Sequence, residues 1–565
     1  MTAPKHGLAR GLTNYGDADF SLYLRRSFAK SMGYSEDLLA RPVIGIAQST
    51  SGFNSCHRHF PELVEAVRRG VLAMGGLPLD FPTISLGEVF LNPTSMMFRN
   101  LMAMDVEEMI RAQPMDAVVL IGACDKTVPA LLMGAASADL PAIQLVGGPM
   151  LPMPYHGDRL GACTDCRRFW AKFRAGDISD REIGDIEGNL ATTVGSCAVM
   201  GTASTMAAVA EALGMSLPGT AAIPAVHADR LRAAEASGRR AVALVGSPLR
   251  PSRIITERSV ENALRVLLAI GGSTNALIHL TAIAGRVGVA LSLRRLNEIS
   301  DQTPVLVDLK PTGRHYMSDL FAGGGIGAVL RELAPLLNLD CVTVTGETLG
   351  ERLSGEAPWV DRDVVRTLRD PYQPQGGLAA LFGSLAPNGA IIKRSAADPR
   401  LFEREGRAVV FSSLDDLASR IDAPDLDVTQ DDFLVLQNAG PKSAYAMPEA
   451  GYLPIPAKLA RAGVKDMVRL SDARMSGTAY GTIVLHVSPE AAIGGPLALV
   501  RDGDRIRLSV SERRLDLLVD DGELARRCAS HRPTAVVAAR GYARLYSQCV
   551  LQAEAGCDFD FLRKA

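Results

Sequence analysis

The 565-residue chain has few aromatic residues, little net charge and no long apolar run. Each of these features limits the classes of protein to which the chain can belong. Aromatic residues make up 5% of the sequence, whereas glycine occurs 53 times, which favours tight turns and close backbone approaches. The formal net charge is -2, so the chain lacks the positive footprint of a protein that binds nucleic acid. Because no stretch of about 18 uninterrupted apolar residues occurs, we predict no membrane span.

The sequence also lacks the signs of a secreted, disulfide-rich protein. Residues Met1 to Gly7 contain no apolar segment of the kind that signal peptides carry, so we expect a cytoplasmic protein. The nine cysteines are odd in number and widely scattered. In a cytoplasmic enzyme such thiols are more often metal ligands, catalytic groups or buried residues than disulfides.

The length predicts roughly two to four domains, and the pattern changes once along the chain. Between residues 40 and 350, apolar runs that predict strands alternate with helical patterns, which indicates a parallel α/β sheet. The predicted strands there are 42–47, 117–122 and 142–146, and the predicted helices include 60–74, 128–136, 202–213 and 260–270. After a turn-rich segment at 371–377, shorter predicted strands follow at 390–393, 408–411, 433–436, 482–487 and 505–510. We therefore predict an α/β domain over 1–375 and a β-rich domain over 376–565.

Three adjacent residues, Cys124, Asp125 and Lys126, follow the predicted strand 117–122. Functional groups of open α/β sheets collect at the carboxyl ends of strands. A thiolate suits iron or zinc, whereas a carboxylate suits magnesium, calcium or manganese. The tripeptide therefore indicates two different metals close to each other.

Two further cysteines, Cys56 and Cys197, lie with Cys124 in loops rich in Gly, Ser and Asn. Helix N-termini and free amides in such loops lower a thiol's pKa and support an anionic cluster. Cys163 and Cys166 form a separate CxxC pair. Because no second pair at zinc-finger spacing accompanies it, we interpret this pair as a structural feature of its loop.

Carboxylates that could hold a hard metal are Glu88, Asp125 and Glu449, since Glu88 and Glu449 each follow a turn in an apolar neighbourhood. Magnesium prefers octahedral oxygen ligands and keeps waters that a substrate can displace. Lys126 beside such a site would be repelled as an ammonium. It either pairs with Asp125 or, neutral or modified, serves as a ligand or orienting group.

The loop at 471–481 is crowded with hydroxyl groups and glycines and contains Arg474 and Ser476. An arginine can grip a carboxylate through two parallel hydrogen bonds. A serine acts as a nucleophile or base only when its pKa is lowered, which a nearby metal can do. The loop has no Gly-x-Ser-x-Gly elbow, which disfavours a hydrolase.

Together these segments resemble the family of iron–sulfur dihydroxy-acid and sugar-acid dehydratases. Four motifs, in the family's order, carry the resemblance: Gly122-Ala-Cys-Asp-Lys-Thr-x-Pro129, Gly195-Ser-Cys-Ala-Val-Met-Gly-Thr-Ala203, Gly271-Gly-Ser-Thr-Asn275 and Asp472-x-Arg-x-Ser-Gly477. The resemblance covers the chain from about Arg41 to its C-terminal region. Two departures are Ala473 and Met475, where relatives usually have Gly and Phe, and a third is Ala446, where they often have Gly.

The resemblance implies two cofactors. An iron–sulfur cluster, [2Fe-2S] in preference to [4Fe-4S], would be held by Cys56, Cys124 and Cys197. Mg²⁺ would be held by carboxylates and by a lysine that is carbamylated in relatives, which would remove the repulsion between an ammonium group and the metal. The implied ligands of Mg²⁺ are Glu88, Asp125, Lys126 and Glu449.

The resemblance also implies roles in catalysis, with Ser476 as the base and Thr478 as a substrate contact. It implies an α/β first domain, a smaller β-barrel-like second domain similar to the swivelling domain of aconitase, and a homodimer or homotetramer. The implied reaction is loss of water from a 2,3-dihydroxy acid to give a 2-keto acid, the work of a hydro-lyase.

The sequence is compatible with two substrate classes. Branched-chain dihydroxy acids need an apolar pocket, whereas aldonates such as arabinonate, xylonate or gluconate need partners for extra hydroxyls. The polar residues His57, Arg58 and His59 beside the first cysteine favour a sugar acid, while His279 is interpreted as a core histidine. A non-catalytic iron–sulfur sensor is the third alternative, which the carboxylates and Ser476 disfavour.

Overall fold

The computed structural model describes residues 6–356 and 359–564. Its first sheet consists of β1 (Val43–Gln48), β2 (Leu77–Pro82), β3 (Ala117–Gly122) and β4 (Ala142–Val146). All four strands run parallel, in the spatial order β2-β1-β3-β4. Because β3 and β4 are buried along their whole length, helices cover both faces of this sheet.

The first part of the chain is otherwise largely helical. Its helices are α1 (Ala18–Ser31), α2 (Glu36–Leu39), α3 (Phe60–Ala73), α4 (Ser95–Ala112), α5 (Thr127–Ala138), α6 (Thr164–Ala175), α7 (Asp180–Leu190), α8 (Thr202–Ala212), α9 (Ala228–Ala243), α10 (Pro251–Ile254), α11 (Glu257–Ala269), α12 (Thr274–Arg286), α13 (Leu293–Gln302), α14 (Met317–Ala322), α15 (Gly325–Leu333) and α16 (Leu349–Leu353). A hairpin of β5 (Met153–Tyr155) and β6 (Asp158–Leu160) precedes α6.

Helices pack in pairs next to the parallel sheet, α3 against α9 and α4 against α5. Glycines allow the first pair to approach closely. A methyl group at Gly70 would lie 2.0 Å from the main-chain oxygen of Glu235, and one at Gly238 would lie 2.3 Å from that of Val67. These helices support the loops at the carboxyl ends of the strands.

The second sheet has eight strands: β7 (Ala379–Leu381), β8 (Gly389–Ile392), β9 (Glu403–Phe411), β10 (Phe433–Leu436), β11 (Arg469–Ser471), β12 (Ile483–Ser488), β13 (Arg505–Ser509) and β14 (Arg514–Leu517). Their order is β14-β13-β9-β10-β11-β12-β8-β7, parallel from β9 to β12 and antiparallel outside. A bridge between Phe382 and Arg514 brings the two edges together, so the sheet is nearly closed.

The C-terminal segment packs against helices of the first part of the chain. The remaining helices are α17 (Leu414–Arg420), α18 (Ala457–Arg461), α19 (Asp521–Ser530) and α20 (Gly541–Cys549). Tyr546 of α20 and Phe559 pack with Met96 and Ile278. Arg286 also binds Asp558 at 2.6 Å, with both side chains fully buried.

The predicted fold class is confirmed: a parallel α/β part precedes a nearly closed mixed β-sheet. The predicted strands 117–122, 142–146 and 433–436 have the observed bounds. The division at residue 375 stays a prediction. In the described part of the chain, every helix is too short or too polar to cross a membrane.

Candidate active site

The loops after β1, β2 and β3 meet at one edge of the parallel sheet. They carry Cys56, Glu88 and the tripeptide Cys124-Asp125-Lys126 respectively. Adjacent parallel strands place their carboxyl ends side by side, so residues far apart in sequence converge there. Cys124 stands at φ +66°, a left-handed backbone conformation that turns the chain sharply between β3 and α5.

Three carboxylates form a compact group at this edge. Glu88, Asp125 and Glu449 each place one oxygen within 4.8 Å of the others. The fully buried Lys126 lies among them, with its Nζ 3.0 Å from Glu88, 3.4 Å from Asp125 and 3.8 Å from Glu449. Glu449 comes from the part of the chain that carries the second sheet, so the group joins both parts of the chain.

Arg474 is a second buried cation in this group. Its guanidinium lies 2.7 Å from Glu88 and 2.5 Å from Glu449, and it donates to the main-chain oxygen of Met447 at 2.9 Å. It also donates to Thr94 at 2.6 Å. When all five groups are ionised, two cations face three carboxylates, which leaves one negative charge for a further cation.

The pKa values of Glu88 and Glu449 are shifted in opposite directions by this environment. Burial raises the pKa of Glu88, but Arg474 and Lys126 outweigh it and hold that pKa well below its ordinary value. A hydrogen bond from Ser95 at the start of α4 stabilises the same carboxylate. The pKa of Glu449 is raised, first by burial and then by the negative charge of Glu88.

The loop after β11 places Ser476 and Thr478 close together, with their hydroxyl oxygens 2.8 Å apart. Gly477 between them is tightly enclosed, since a methyl group there would lie 2.6 Å from the main-chain nitrogen of Thr202 and 2.7 Å from the side chain of Ser273. Thr202 begins α8, and Ser273 caps α12. Two helix N-termini therefore approach this loop, and such termini favour negative charge.

Asn275 connects the loop to the carboxylates. Its Nδ2 lies 3.3 Å from Thr202 Oγ1 and 3.4 Å from Glu449 Oε1. Its Oδ1 is buried and accepts no hydrogen bond from the described residues. The hydroxyl loop and the carboxylate group therefore line one polar region.

The thiols lie beside the carboxylates. A hydrogen bond with Cys124 raises the pKa of the Cys56 thiol most, followed by burial and by the charges of Cys124 and Asp125. At Cys197 a hydrogen bond with Cys163 lowers the pKa, but burial and the charge of Asp125 outweigh it and raise the pKa overall. Thiol groups, which suit soft metals, and carboxylates, which suit hard metals, are therefore neighbours around Asp125.

Comparison with known proteins identifies the family of the chain. Residues 41–352 match the dihydroxy-acid/6-phosphogluconate dehydratase N-terminal family model, and residues 363–557 match the C-terminal one. The chain belongs to this dehydratase family. It is an enzyme, a hydro-lyase.

Dehydratases with different named substrates are similar over nearly the whole chain. An L-arabonate dehydratase of Azospirillum brasilense is 48% identical over 100% of this chain and 98% of its own length. A 6-deoxy-6-sulfo-D-gluconate dehydratase of Pseudomonas putida is 46% identical over 94% and 92%. A dihydroxy-acid dehydratase of Acetivibrio thermocellus is 38% identical over 94% and 96%.

The donor set of this dehydratase fits both expected cofactors. The carboxylates offer the hard oxygen ligands that Mg²⁺ prefers. Among residues 6–356 and 359–564, only the carboxylates form a set of three donors within 4.8 Å, so the three thiols are spaced more widely. A wider spacing suits a cluster of several irons better than one ion.

The interpretation of Cys163 and Cys166 as a structural feature of their loop stays a prediction; the Sγ of Cys163 lies 3.1 Å from that of Cys197. One interpretation from sequence was wrong. His57 and His59 do not line a polar pocket. Both are buried, and they bond the main-chain oxygens of Ala123 at 3.0 Å and Gly147 at 2.9 Å. Burial lowers the pKa of His57 to about 4, so it stays neutral.

Sequence reasoning missed several polar residues of the region. Thr94 could have been predicted, because a threonine directly before a helix is a common N-cap, and Thr94 caps α4. No sequence pattern predicts a role for Lys393 at the end of β8. It is fully buried, its Nζ donates to the main-chain oxygen of Gly477 at 3.4 Å, and burial lowers its pKa to about 7. His279 is a core histidine, as expected, 3.0 Å from Arg99.

Proposed function

We propose that this dehydratase removes water from a sugar acid, an aldonate such as arabinonate, xylonate or gluconate, to give a 2-keto-3-deoxy acid. The observation that carries the proposal is the single region in which three thiols, three carboxylates and a hydroxyl-rich loop meet. Cys56, Cys124 and Cys197 would hold an iron–sulfur cluster, [2Fe-2S] in preference to [4Fe-4S].

Mg²⁺ would be held by Glu88, Asp125, Glu449 and carbamylated Lys126. As an unmodified ammonium, Lys126 lies where it would repel a divalent ion. Reaction of its neutral amine with CO₂ releases one proton and leaves a carboxylate-like group. The change turns a competing cation into an oxygen ligand.

When bound, the two cofactors supply Lewis acidity for the departing C3 hydroxyl and for the negative charge that develops on the substrate's carboxylate end. Ser476 takes the Cα proton as its alkoxide. The N-termini of α8 and α12 approach the adjacent Gly477 and favour negative charge in this loop, and Thr478 can donate a hydrogen bond to the Ser476 oxygen, 2.8 Å away. The enol that remains after loss of hydroxide tautomerises to the 2-keto acid.

A sugar acid is favoured over a branched-chain dihydroxy acid by the polarity of the site. The free acceptor Oδ1 of Asn275 suits a hydroxyl donor, and Thr94, Thr202 and Ser273 add further hydroxyl groups nearby. Identity with relatives named for sugar acids, 46–48%, exceeds the 38% with the dihydroxy-acid dehydratase. The branched-chain enzyme of amino-acid biosynthesis is the alternative.

A non-catalytic iron–sulfur sensor is disfavoured because sensing requires neither the carboxylate group nor Ser476. We further propose a cytoplasmic homodimer or homotetramer that binds neither membranes nor nucleic acid. The aromatic residues Phe20, Tyr23 and Phe28 of α1 are 46–70% exposed, a surface suited to a second subunit. Light scattering on the purified protein measures the oligomer size.

The deciding assay follows 2-keto acid formation from a panel of aldonates and from 2,3-dihydroxyisovalerate, under anaerobic conditions with Mg²⁺. Because a site built to bind hydroxyls rejects substrates that lack them, we expect kcat/KM to favour an aldonate by at least about 100-fold. A preference for dihydroxyisovalerate would establish the alternative. Inactivity on every substrate, with cluster and Mg²⁺ bound, would support the sensor.

A further inference from the structure

A cleft lies between α6 and the segment around α18, where the two parts of the chain meet. Its volume is about 540 Å³, within the range of cavities that hold small molecules. Tyr480 lines the cleft two residues after Thr478, so the cleft borders the loop that carries Ser476. Among the described residues that line it, none is a thiol or carboxylate assigned to the cofactors. The cleft is therefore an additional cavity, which the proposed reaction does not use.

Positive charge dominates the walls of this cleft. Six cationic side chains line it: Arg167, Arg168, Lys172 and Arg174 of α6, Arg461 at the end of α18, and Lys465. Asp177 is the carboxylate among the lining residues. Because the whole chain has a net charge of -2, this concentration of positive charge is local. A cleft lined by charges of one sign focuses the electrostatic field and attracts ions of the opposite sign.

Two of the six cations are compensated by carboxylates outside the cleft. Arg168 pairs with Asp158 and with Asp165, each at 3.1 Å, and Arg174 pairs with Asp422 at 2.7 Å. The four other cations form no ion pair with the described residues. Set against the one carboxylate that lines the cleft, these four leave an excess of three positive charges.

Arg167 lacks the partners that a guanidinium normally has. Its Nε is buried and has no hydrogen-bond acceptor among the described residues. Its Cζ lies 4.9 Å from the centre of the Tyr452 ring, a contact that holds the guanidinium in place. A guanidinium grips a phosphate or carboxylate through two parallel hydrogen bonds. Arg167 is therefore positioned to bind an anion that enters the cleft.

The other side chains of the cleft suit the carbon part of an organic anion. Trp170 and Tyr480 line it together with Pro454, Ile455 and Val464. Trp170 is 54% exposed, so the face of a large aromatic ring remains open to a ligand. In small-molecule sites, apolar and aromatic side chains bury the carbon skeleton of the ligand, while a few charged groups fix its orientation.

We propose that this cleft binds a small organic phosphate, with its phosphate group on Arg167 and on the cations at the end of α18. The carbon part would pack against Trp170 and Tyr480. A phosphate ester carries a charge of about -1.5 to -2 at pH 7 and three oxygens that accept hydrogen bonds. It therefore matches an excess of three positive charges better than a single carboxylate does. Binding there does not depend on which acid the enzyme dehydrates.

Trp170 provides a direct signal, because one of the chain's two tryptophans lines the cleft. The holoenzyme is titrated with phenyl phosphate, inorganic phosphate and phenol, and both tryptophan fluorescence and the heat of binding are recorded. We expect a saturable fluorescence change with phenyl phosphate, weaker binding of inorganic phosphate and no binding of phenol at the same concentrations. W170F should lose the fluorescence change and keep the heat. Higher ionic strength should weaken the binding of phenyl phosphate.

Two variants remove cations from the cleft, R167M and the double variant R461M/K465M. Because a hydrogen bond to a charged group contributes substantially to binding, each variant should raise the Kd of phenyl phosphate by about tenfold or more. Arg544, exposed on α20, provides the matched control, and R544M should bind as wild type does. Arg461 and Lys465 are exposed, so replacing them leaves the core intact, and circular dichroism confirms that each variant is folded.

Three results would overturn the proposal. They are the absence of phenyl phosphate binding to wild type, a wild-type Kd in both cleft variants, and phenol that binds as tightly as phenyl phosphate. Because these are binding measurements, they stand apart from the assay of 2-keto acid formation. A dehydratase that is active on an aldonate but binds no phosphate would keep its proposed function and lose this site.

Discussion

Replacing Arg474 by methionine tests whether buried charge holds the carboxylate group together in the metal-free protein. The substitution removes the cation from Glu88 and Glu449 but keeps a long apolar side chain. Removing one partner of a buried ion pair costs about 3–5 kcal/mol, because the remaining charge is left uncompensated. For 565 residues unfolding as one unit, that loss lowers Tm by roughly 3–4 °C.

The stability lost in R474M should depend on pH in a definite direction. The pKa of Glu88 is lowered in the folded state, so its ionised form stabilises the protein above its ordinary pKa of 4.5, and this contribution is lost as the pH falls below it. Without Arg474 that pKa moves back up. The difference in Tm between wild type and variant should therefore be greatest near pH 7 and should shrink below about pH 4.5.

Thermal unfolding followed by circular dichroism, with and without Mg²⁺, measures these effects. Mg²⁺ can replace the lost positive charge, so it should raise the Tm of R474M more than that of wild type. The matched control is R286M, which breaks a buried pair with Asp558 away from the site and should lose stability without an extra response to Mg²⁺. The reasoning would be refuted if R474M were as stable as wild type near pH 7. It would also be refuted if Mg²⁺ did not raise the Tm of R474M.

Four further predictions concern single residues of the site. Ser476→Ala should keep the cluster's visible absorption but abolish turnover, and normal turnover would reject the serine as the base. Cys124→Ser should bleach the visible absorption after anaerobic reconstitution, whereas an unchanged spectrum would argue against ligation by this thiol. Lys393 has a folded-state pKa of about 7, below its ordinary value of 10.5, so wild type should gain stability between about pH 7 and pH 10. Lys393→Met should lack that gain, and identical pH profiles of Tm would contradict the assignment. Added bicarbonate should tighten Mg²⁺ binding to wild type but not to Lys126→Arg, as calorimetry can measure, and equal responses would count against carbamylation.

The strands of the parallel sheet show which elements sequence patterns can predict and which they miss. β3 and β4 are buried on both faces, so they are continuous apolar runs, and their predicted bounds agree with the structure. β2 was missed because Leu77–Pro82 contains two prolines, which argue against a strand. It lies at the edge of the sheet, where an unpaired strand side tolerates proline.

The donors of the site could be named from sequence because their chemistry is local. A thiol, a carboxylate and an amine that directly follow a buried strand must lie at its carboxyl end. The role of the histidines next to Cys56 could not be read in the same way. His57 and His59 are polar by composition, yet both lie in the interior, where each bonds a main-chain oxygen of the loop after β3 or β4.

The sequence alone therefore determined the fold class, the soft and hard donors and the loop that carries Ser476. Only the tertiary structure placed Arg474 against Glu88, 386 residues away, and Cys163 against Cys197. Local periodicity and turn chemistry specify strands, helices and the loops between them. Contacts between distant loops depend instead on how the two sheets pack, which no short stretch of sequence encodes.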